Sequence, residues 1–286
     1  MGEVVKREPP NKILTREDEL KIVDAYRAGM SPERIRVQVL NCKFKTANSI
    51  SDALKRLGIF EGDNKLRYSN TKNHNYFSKI DTEKKAYFLG LMQSDGWIHK
   101  KSEGSRQVGL CLEELYIIEE FKSELSTSNK IVHRYKDDDN KKDLYQIQLD
   151  SVFLYKDLAK FGVGDKFTDQ YFPIMDDNLC NHYIRGLFDG DGTNHIAEKT
   201  NNLHIGFLGG IKTMSQISFY LAQRLGVYQS QPFKTVGNSV ELYGIRYSEK
   251  EDTEKIFNFL YNDANIFIKR KKQVFEKWFG ENGNNN

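Results

Sequence analysis

Two short stretches of the chain carry acidic residues in a repeated setting. Tyr87-Phe-Leu-Gly90-Leu91-Met-Gln93-Ser94-Asp95-Gly96 returns 96 residues later as Tyr183-Ile-Arg185-Gly186-Leu187-Phe-Asp189-Gly190-Asp191-Gly192. Each is an apolar helical run that ends in Asp and then Gly. Gly90 and Ser94, like Gly186 and Gly190, lie four apart and so share a helix face. Small residues at that spacing let two helices approach closely. With the two copies related by a pseudo-twofold axis, these faces meet and Asp95 and Asp191 reach adjacent C-terminal helix ends. Gly96 and Gly192 suit the left-handed position that terminates a helix. A carboxylate there faces the negative end of the helix dipole, at a cost of roughly 0.3–1 kcal/mol, and two side by side repel. Divalent cations between them reverse both penalties. Carboxylate, carbonyl and phosphate oxygens are what Mg2+ prefers, and two metal ions flanking a phosphodiester can activate water and stabilise the leaving oxygen.

Other groupings fit their chemistry less well. Asp189-Gly-Asp191-Gly192 does not continue as a calcium loop, because Asn194 stands where that loop needs Gly and Thr200 where it needs Glu. The six histidines show no HxxxH or His-Cys spacing, so zinc is unsupported. His99, His133, His195 and His204 fall in or beside predicted strands, as contacts to a bound partner or solvated residues. Asp137-Asp138-Asp139 reads as a hairpin loop. Cys42, Cys111 and Cys180 are odd in number and far apart, which suits a reducing compartment and excludes a disulfide framework.

The elements that must position the two aspartates are themselves duplicated. Val108-Gly109-Leu110 pairs with Ile205-Gly206-Phe207 at offset 97, and Leu144-Tyr145-Gln146-Ile147 with Leu242-Tyr243-Gly244-Ile245 at offset 98. Two copies of a unit of roughly 100 residues are too few for a solenoid. Periodicity predicts the order αββαββα in each: helix 82–94, strands near 96–101 and 106–112, helix 114–126, strands near 130–136 and 142–149, helix 151–161. The second copy follows as helix 179–190, strands 193–198 and 203–208, helix 211–225, strands 230–236 and 239–247, and helices to 279. Tyr145, Ile147 and Leu149 alternate with Gln146 and Gln148, the period of a sheet with one apolar and one polar face. The fold class is therefore α/β (α+β), with a first repeat over 81–178 and a second over 179–280.

Upstream, residues 1–12 read as a disordered lead. Thr15 with Asp18 is a capping-box pair that opens a helix. Ser31-Pro32 opens a second helix carrying Ile35, Val37, Val39 and Leu40. A third runs from Thr46 to Leu57 and stops at Gly58. Three short helices in residues 1–60 outline a helix-turn-helix unit. Lys45, Asn48, Ser49, Lys55 and Arg56 are its candidates for base edges and phosphates. Residues 61–80 form a polar linker, and 281–286 a disordered tail.

The two motifs, within this duplication, resemble the paired signatures of LAGLIDADG homing endonucleases of the monomeric, two-motif type, over about 200 residues from Asp81 to near Phe279. The resemblance implies two antiparallel sheets forming a saddle over duplex DNA, with the motif helices as the seam. It implies metal binding by Asp95 and Asp191, with Ser94 and Gly190 offering backbone carbonyls. It also implies basic residues late in each half that polarise the water around the metals. Lys166 matches that region in the first half. In the second, Lys269, Arg270, Lys271 and Lys272 all stand there, with Lys271 the choice. The activity implied is Mg2+-dependent cutting of both strands across the minor groove at a long asymmetric site, leaving 3′ overhangs. Gln93 takes the place of Asp189, a position that varies and is not the metal ligand. Arg185 replaces an apolar residue and is expected to extend to solvent or toward DNA. The helix-turn-helix is an addition resembling the appended modules of some mobile endonucleases. A non-catalytic transcription regulator on the same domain and an intron RNA maturase are the alternatives. An intein is disfavoured, since no splicing blocks precede the repeat.

Composition sets the outer bounds. With 286 residues, 18 Phe and 15 Tyr, the chain has ample core for two domains. No run approaches the 18 apolar residues of a membrane span, and no signal peptide or myristoylation pattern is evident, so the expectation is a cytoplasmic monomer. Net charge is only +3, but it is unevenly spread. Residues 1–60 hold 12 basic and 8 acidic groups, and residues 81–180 hold 14 and 19. Many of the latter acids fall on predicted outer helices. Lys100, Lys101, Arg106, Arg134 and Lys136 fall on the strands of the first repeat, and Lys234 and Arg246 on those of the second. These are the candidate DNA contacts of the sheets.

Overall fold

The structure, a computed structural model, describes residues 14–44, 46–60, 70–100, 106–134, 143–164, 170–235 and 241–282. The chain divides into two compact units, Met1–Asn75 and Tyr76–Asn286.

In the first unit, α1 (Arg16–Arg27) begins at the expected capping box. Thr15 Oγ1 accepts from the Asp18 amide at 3.2 Å, and Asp18 Oδ2 accepts from the Thr15 amide at 2.9 Å. The second helix is shorter than its periodicity predicts. After one turn, α2 (Pro32–Arg34), residues Ile35–Val39 widen to π-helical bonding, and the Leu40 amide reaches back to the Ile35 carbonyl at 3.0 Å. Three β-branched side chains in five residues disfavour tight α packing, and Asn41 and Cys42, both at positive φ, end the run. Helix α3 (Asn48–Arg56) ends at Gly58, whose φ of 65° permits the left-handed stop. Ile22, Tyr26, Ile35, Leu40, Phe44, Ile50 and Leu54 form this unit's core.

The second unit is the duplication. Its first half runs α4 (Glu83–Ser94), β1 (Gly96–Lys100), β2 (Arg106–Leu112), α5 (Leu115–Glu124), β3 (Val132–Arg134), β4 (Leu144–Asp150) and α6 (Val152–Lys160). The second runs α7 (Asp177–Asp191), β5 (Thr193–Ile196), β6 (Leu203–Gly209), α8 (Ile211–Leu225), β7 (Phe233–Lys234), β8 (Tyr243–Tyr247), α9 (Lys250–Tyr261) and α10 (Lys269–Asn282). Each half folds its strands into one antiparallel four-stranded sheet, in the orders β1-β2-β4-β3 and β5-β6-β8-β7. The mixed α/β class and the αββαββα order are as the sequence indicates.

Register decides which side chains share a face. Ile98, Val108 and Leu149 stand in line, as do Leu110 and Ile147, and these turn into the helix-packed core. Trp97, Gly109 and Gln148 line up on the opposite face, beside His99 and Gln107. In the second sheet Asn194, Ile205 and Tyr247 share the core side, and Thr193, Gly206 and Arg246 the other. Each half therefore has a mainly polar sheet face on the side away from its helices.

Candidate paired-carboxylate site

Helices α4 and α7 pack along the face that carries the repeated small residues. A Cβ built on Gly90 runs into the Tyr183 carbonyl and comes within 2.9 Å of Gly186 Cα. A Cβ on Gly186 runs into the Tyr87 carbonyl and comes within 3.0 Å of Gly90 Cα. The two clashes are mirror images, which is the pseudo-twofold relation expressed atom by atom. Around the seam Ala86, Tyr87, Phe88, Leu89, Leu91, Met92, Tyr183, Ile184 and Phe188 are all buried.

At the far end of the seam the two helix ends that carry the acids adjoin. A Cβ on Gly190 of α7 would collide with Ser94 Oγ and with Asp95 Oδ2 of α4. Asp95 is the C-cap of α4, its amide donating to the Leu91 carbonyl at 2.9 Å, and Asp191 is the last residue of α7. Ser94 is buried, and its hydroxyl donates back to the Gly90 and Leu91 carbonyls, at 3.3 and 3.1 Å. The last-turn carbonyls have no intrahelical donor, so the two helix ends present acceptor oxygens beside two carboxylates. This oxygen-only donor set fits Mg2+.

The two glycines after the acids differ from expectation. Neither is left-handed: Gly192 is extended, at φ −71° and ψ 160°, and Gly96 opens β1. Their need is spatial. The chain turns from helix straight into strand, so that a Cβ on Gly96 would meet Met92 Cα at 2.6 Å and one on Gly192 would meet Phe188 Cα at 2.8 Å.

Of the four consecutive basic residues at the start of α10, three are engaged elsewhere. Lys269 lies over the Tyr116 ring at 5.0 Å, Arg270 pairs with Glu114 at 2.6 Å, and Lys272 pairs with Glu276 at 3.2 Å. Lys271 alone is buried and turned to the seam, where its ammonium donates to the Gly192 carbonyl. Burial lowers the pKa of this ammonium, and the neighbouring Arg270 charge adds to that. Asp189, Asp95 and Glu114 pull the other way without cancelling it. The first-half candidate, Lys166, lies outside the described residues.

Two buried groups escaped the sequence reading. Asp189 is wholly buried, and its carboxylate accepts from the Tyr261 hydroxyl at 2.6 Å, the Ile268 amide at 2.7 Å and the Tyr87 hydroxyl at 2.9 Å. Burial pushes its pKa up to about 6, even against those three hydrogen bonds and the Arg185 charge. Arg185 neither reaches solvent nor extends outward. It is fully buried, and donates to the carbonyls of Ile266 at 3.0 Å and Leu260 at 2.8 Å and to Glu83 at 2.7 Å. An apolar residue there would leave those acceptors without their donor. The signal that was present is the tyrosine opening each motif. Tyr87 reaches Asp189 on the other helix, and Tyr183 likewise donates to Gln93.

The candidate DNA contacts sort by register. Arg134 and Arg246 stand on the polar sheet faces, Arg246 over the Phe233 ring at 5.5 Å. His195 and His204 stack beside Arg246 with centroids 5.1 Å apart; burial, then the His195 and Arg246 charges, lowers the His204 pKa. Lys100, Arg106 and Lys234 instead alternate onto the helix side. Arg106 lies over Tyr155 of α6 at 5.4 Å, and Lys234 pairs with Glu241 at 2.8 Å. The reason is the pleat, which sends alternate residues to opposite faces. In the first unit Asn48 is exposed and Ser49 half-buried at the start of α3. Lys55 pairs with Asp52 at 3.4 Å, and Arg56 pairs with Glu19 of α1. Lys45, Lys101 and Lys136, and the acidic run Asp137-Asp138-Asp139, lie outside the described residues. Among the described residues no group of three or more His, Cys, Asp or Glu could hold a metal, and no helix is long and apolar enough to cross a membrane.

No protein-family model matches the chain, and no curated protein matches it. Among solved structures it is similar to the LAGLIDADG meganuclease I-CpaMI bound to uncleaved DNA, at 16% identity and a TM-score of 0.46, covering 72% of this chain and 94% of that one. It is also similar to I-SmaMI bound to an uncleaved DNA target with calcium ions, at 12% identity and 0.45 over 72% and 93%. I-AabMI bound to uncleaved DNA gives 12% and 0.46 over 69% and 89%. At these values the likeness supplies no residue-by-residue correspondence, and the site rests on the chain's own geometry.

Proposed function

We propose that this chain is a site-specific endonuclease of double-stranded DNA, dependent on a divalent metal, with Mg2+ the ion its oxygen donors suit best. The single observation that carries the reading is the pair Asp95 and Asp191, brought to adjoining helix ends by reciprocal glycine contacts between two pseudo-equivalent helices. Two like charges at the negative ends of two helices have no structural benefit; cations between them and a phosphodiester supply one. Asp95, Asp191 and the carbonyls of Ser94 and Gly190 would hold the metal. When bound, it would lower the pKa of a water so that it gives up a proton in attacking phosphorus, and would supply charge to stabilise the leaving oxygen. Lys271 places a donor beside the α7 end, where it orients solvent and offsets negative charge on a phosphate. The polar sheet faces, with Arg134, Arg246, Gln148 and the stacked His195 and His204, lie along the duplex, one half to each side of the cut. Asn48, Ser49, Lys55 and Arg56 of the first unit add contacts of their own to DNA.

The test is cutting of a duplex selected from a randomised library by binding, with and without Mg2+. Asp95→Asn and Asp191→Asn are each expected to abolish double-strand cutting while leaving binding within about threefold. Tight binding with no metal-dependent cutting by the unaltered chain overturns the endonuclease and leaves a DNA-binding regulator.

A further inference from the structure

The connection between α9 and α10 is a loop in sequence, yet its backbone is held at four points, and the last turn of α9 at a fifth, by buried or half-buried charged residues of the two motif helices. Arg185 donates to the carbonyls of Leu260 and Ile266. Glu83 accepts from the amides of Asn265 at 2.7 Å and Ile266 at 3.3 Å. Asp189 accepts from the Ile268 amide at 2.7 Å. Ile268 immediately precedes α10 and has no side-chain oxygen with which to cap it. The carboxylate that takes its amide belongs to another helix and sits at the positive end of the α10 dipole, where a negative charge is favoured.

From this anchor the contacts close into a ring. The Ile268 carbonyl accepts the Lys271 amide at 3.1 Å. The Lys271 ammonium donates to the Gly192 carbonyl, and Gly192 lies three residues beyond Asp189 on the same backbone. Asn194 at the start of β5 adds a bond from its side-chain amide to the Lys271 carbonyl at 2.7 Å. The first half repeats the device with other atoms. Gln93, the pseudo-equivalent of Asp189, donates to the carbonyls of Phe161 at 3.0 Å and Tyr171 at 3.1 Å, and the Gln170 side chain donates to the Gln93 carbonyl at 2.6 Å. In each half, the polar residue two before the terminal Asp pins the segment that follows the last strand-packed helix.

We propose that Asp189 is a positioning residue: it fixes the start of α10 and through it holds the Lys271 ammonium against the C-terminal end of α7, with Gln93 the corresponding anchor of the first half. Its catalytic consequence rests on the endonuclease reading, whereas its structural content does not. This gives a motif position that need touch neither metal nor DNA a defined task.

The experiment uses the full chain and two readouts. The first is the rate at which an amine-reactive ester acylates Lys271, read by peptide mass spectrometry, with exposed Lys277 as internal reference. Asp189→Leu, which removes every acceptor while keeping the branch at Cγ, is expected to speed Lys271 acylation by about fivefold or more, and Asp189→Asn, which keeps one acceptor oxygen, by less. The second is single-turnover cutting. Asp189→Leu is expected to slow it by about tenfold or more at unchanged DNA affinity, and to add nothing in a Lys271→Met background. Unchanged Lys271 acylation in a folded Asp189→Leu chain overturns the proposal, as does an equal further loss of cutting in the Lys271→Met background. Should Asp189→Leu not fold, Asp189→Asn decides by the same acylation readout. Absence of cutting by the unaltered chain defeats the endonuclease reading alone, because acylation still reports on the anchor.

Discussion

Single residues here earn their identities by what surrounds them in space, and that is where the sequence is least informative. Asp95 and Asp191 were legible because they recur in matched settings. Asp189 and Arg185 were not, because the donors and acceptors that justify a buried charge come from residues 260–268, 72 to 81 positions away, and from Glu83 and Tyr87, 102 positions away. Asp18 shows the opposite case, a buried acid whose partners are partly local. Burial raises its pKa, but Lys43 and the hydroxyl and amide of Thr15 outweigh that and bring the carboxyl to about 2. A carboxyl held below its unfolded value stabilises the fold above the unfolded pKa, and loses that contribution as pH falls through the folded one. The stability of the first unit is therefore expected to decline between about pH 4 and pH 2. Melting curves of the full chain against Asp18→Asn check this: the gap in the first unit's transition closes toward pH 2. A gap that stays constant across the window refutes the assignment.

At the scale of elements, long periodic segments were readable and short ones were not. The boundaries of α4, α7 and α8 fall close to the predicted ones because 12 to 15 residues of apolar spacing average out local noise. Strand β7, of two residues, is set by pairing with β8 rather than by its own pattern and is far shorter than its predicted span, and β3 opens at Val132 rather than near residue 130. The π-helical turn at Ile35–Val39 was invisible because periodicity cannot tell 3.6 residues per turn from a slightly wider winding over five residues. The seam was readable as a seam, since two glycines at the same place in two copies have few other uses. Its rigidity yields a prediction. Gly186→Ala puts a methyl group into the Tyr87 carbonyl, backbone against backbone, with no flexible atom to yield. It is expected to cost about 2–4 kcal/mol in equilibrium unfolding of the second unit. Gly226→Ala, in open space, should cost less, its strain arising only from φ 66°. Equal losses at the two positions would show that the seam is not the tight contact described.

For the whole molecule, charge is a matter of place. A net charge of +3 gives no hint of a polyanionic partner, yet residues 1–60 hold an excess of four positive charges, and Glu113, Glu114, Glu119, Glu120 and Glu124 gather in and just before α5. Glu113, Glu114, Glu120 and Glu124 are tied up with Arg270 and Lys84, away from the polar sheet face. On the proposed function, removing Met1–Asn75 takes away phosphate contacts, so binding to the selected duplex should weaken and its log–log dependence on salt should become shallower. Fluorescence anisotropy across a salt series measures both. An identical slope for the shortened chain would assign the first unit to something other than DNA.

The mirror-image clash at Gly90 and Gly186 has a consequence for how such a chain can be divided. Each motif helix fills the hollow left by the other's missing side chain, so neither half owns a finished interior. Severed between α6 and α7, the second unit would yield two pieces, each with an open apolar trough shaped for one occupant, the other piece. The covalent link between them supplies local concentration rather than fit. The architecture is in effect a dimer written on one chain, held together by two absent methyl groups.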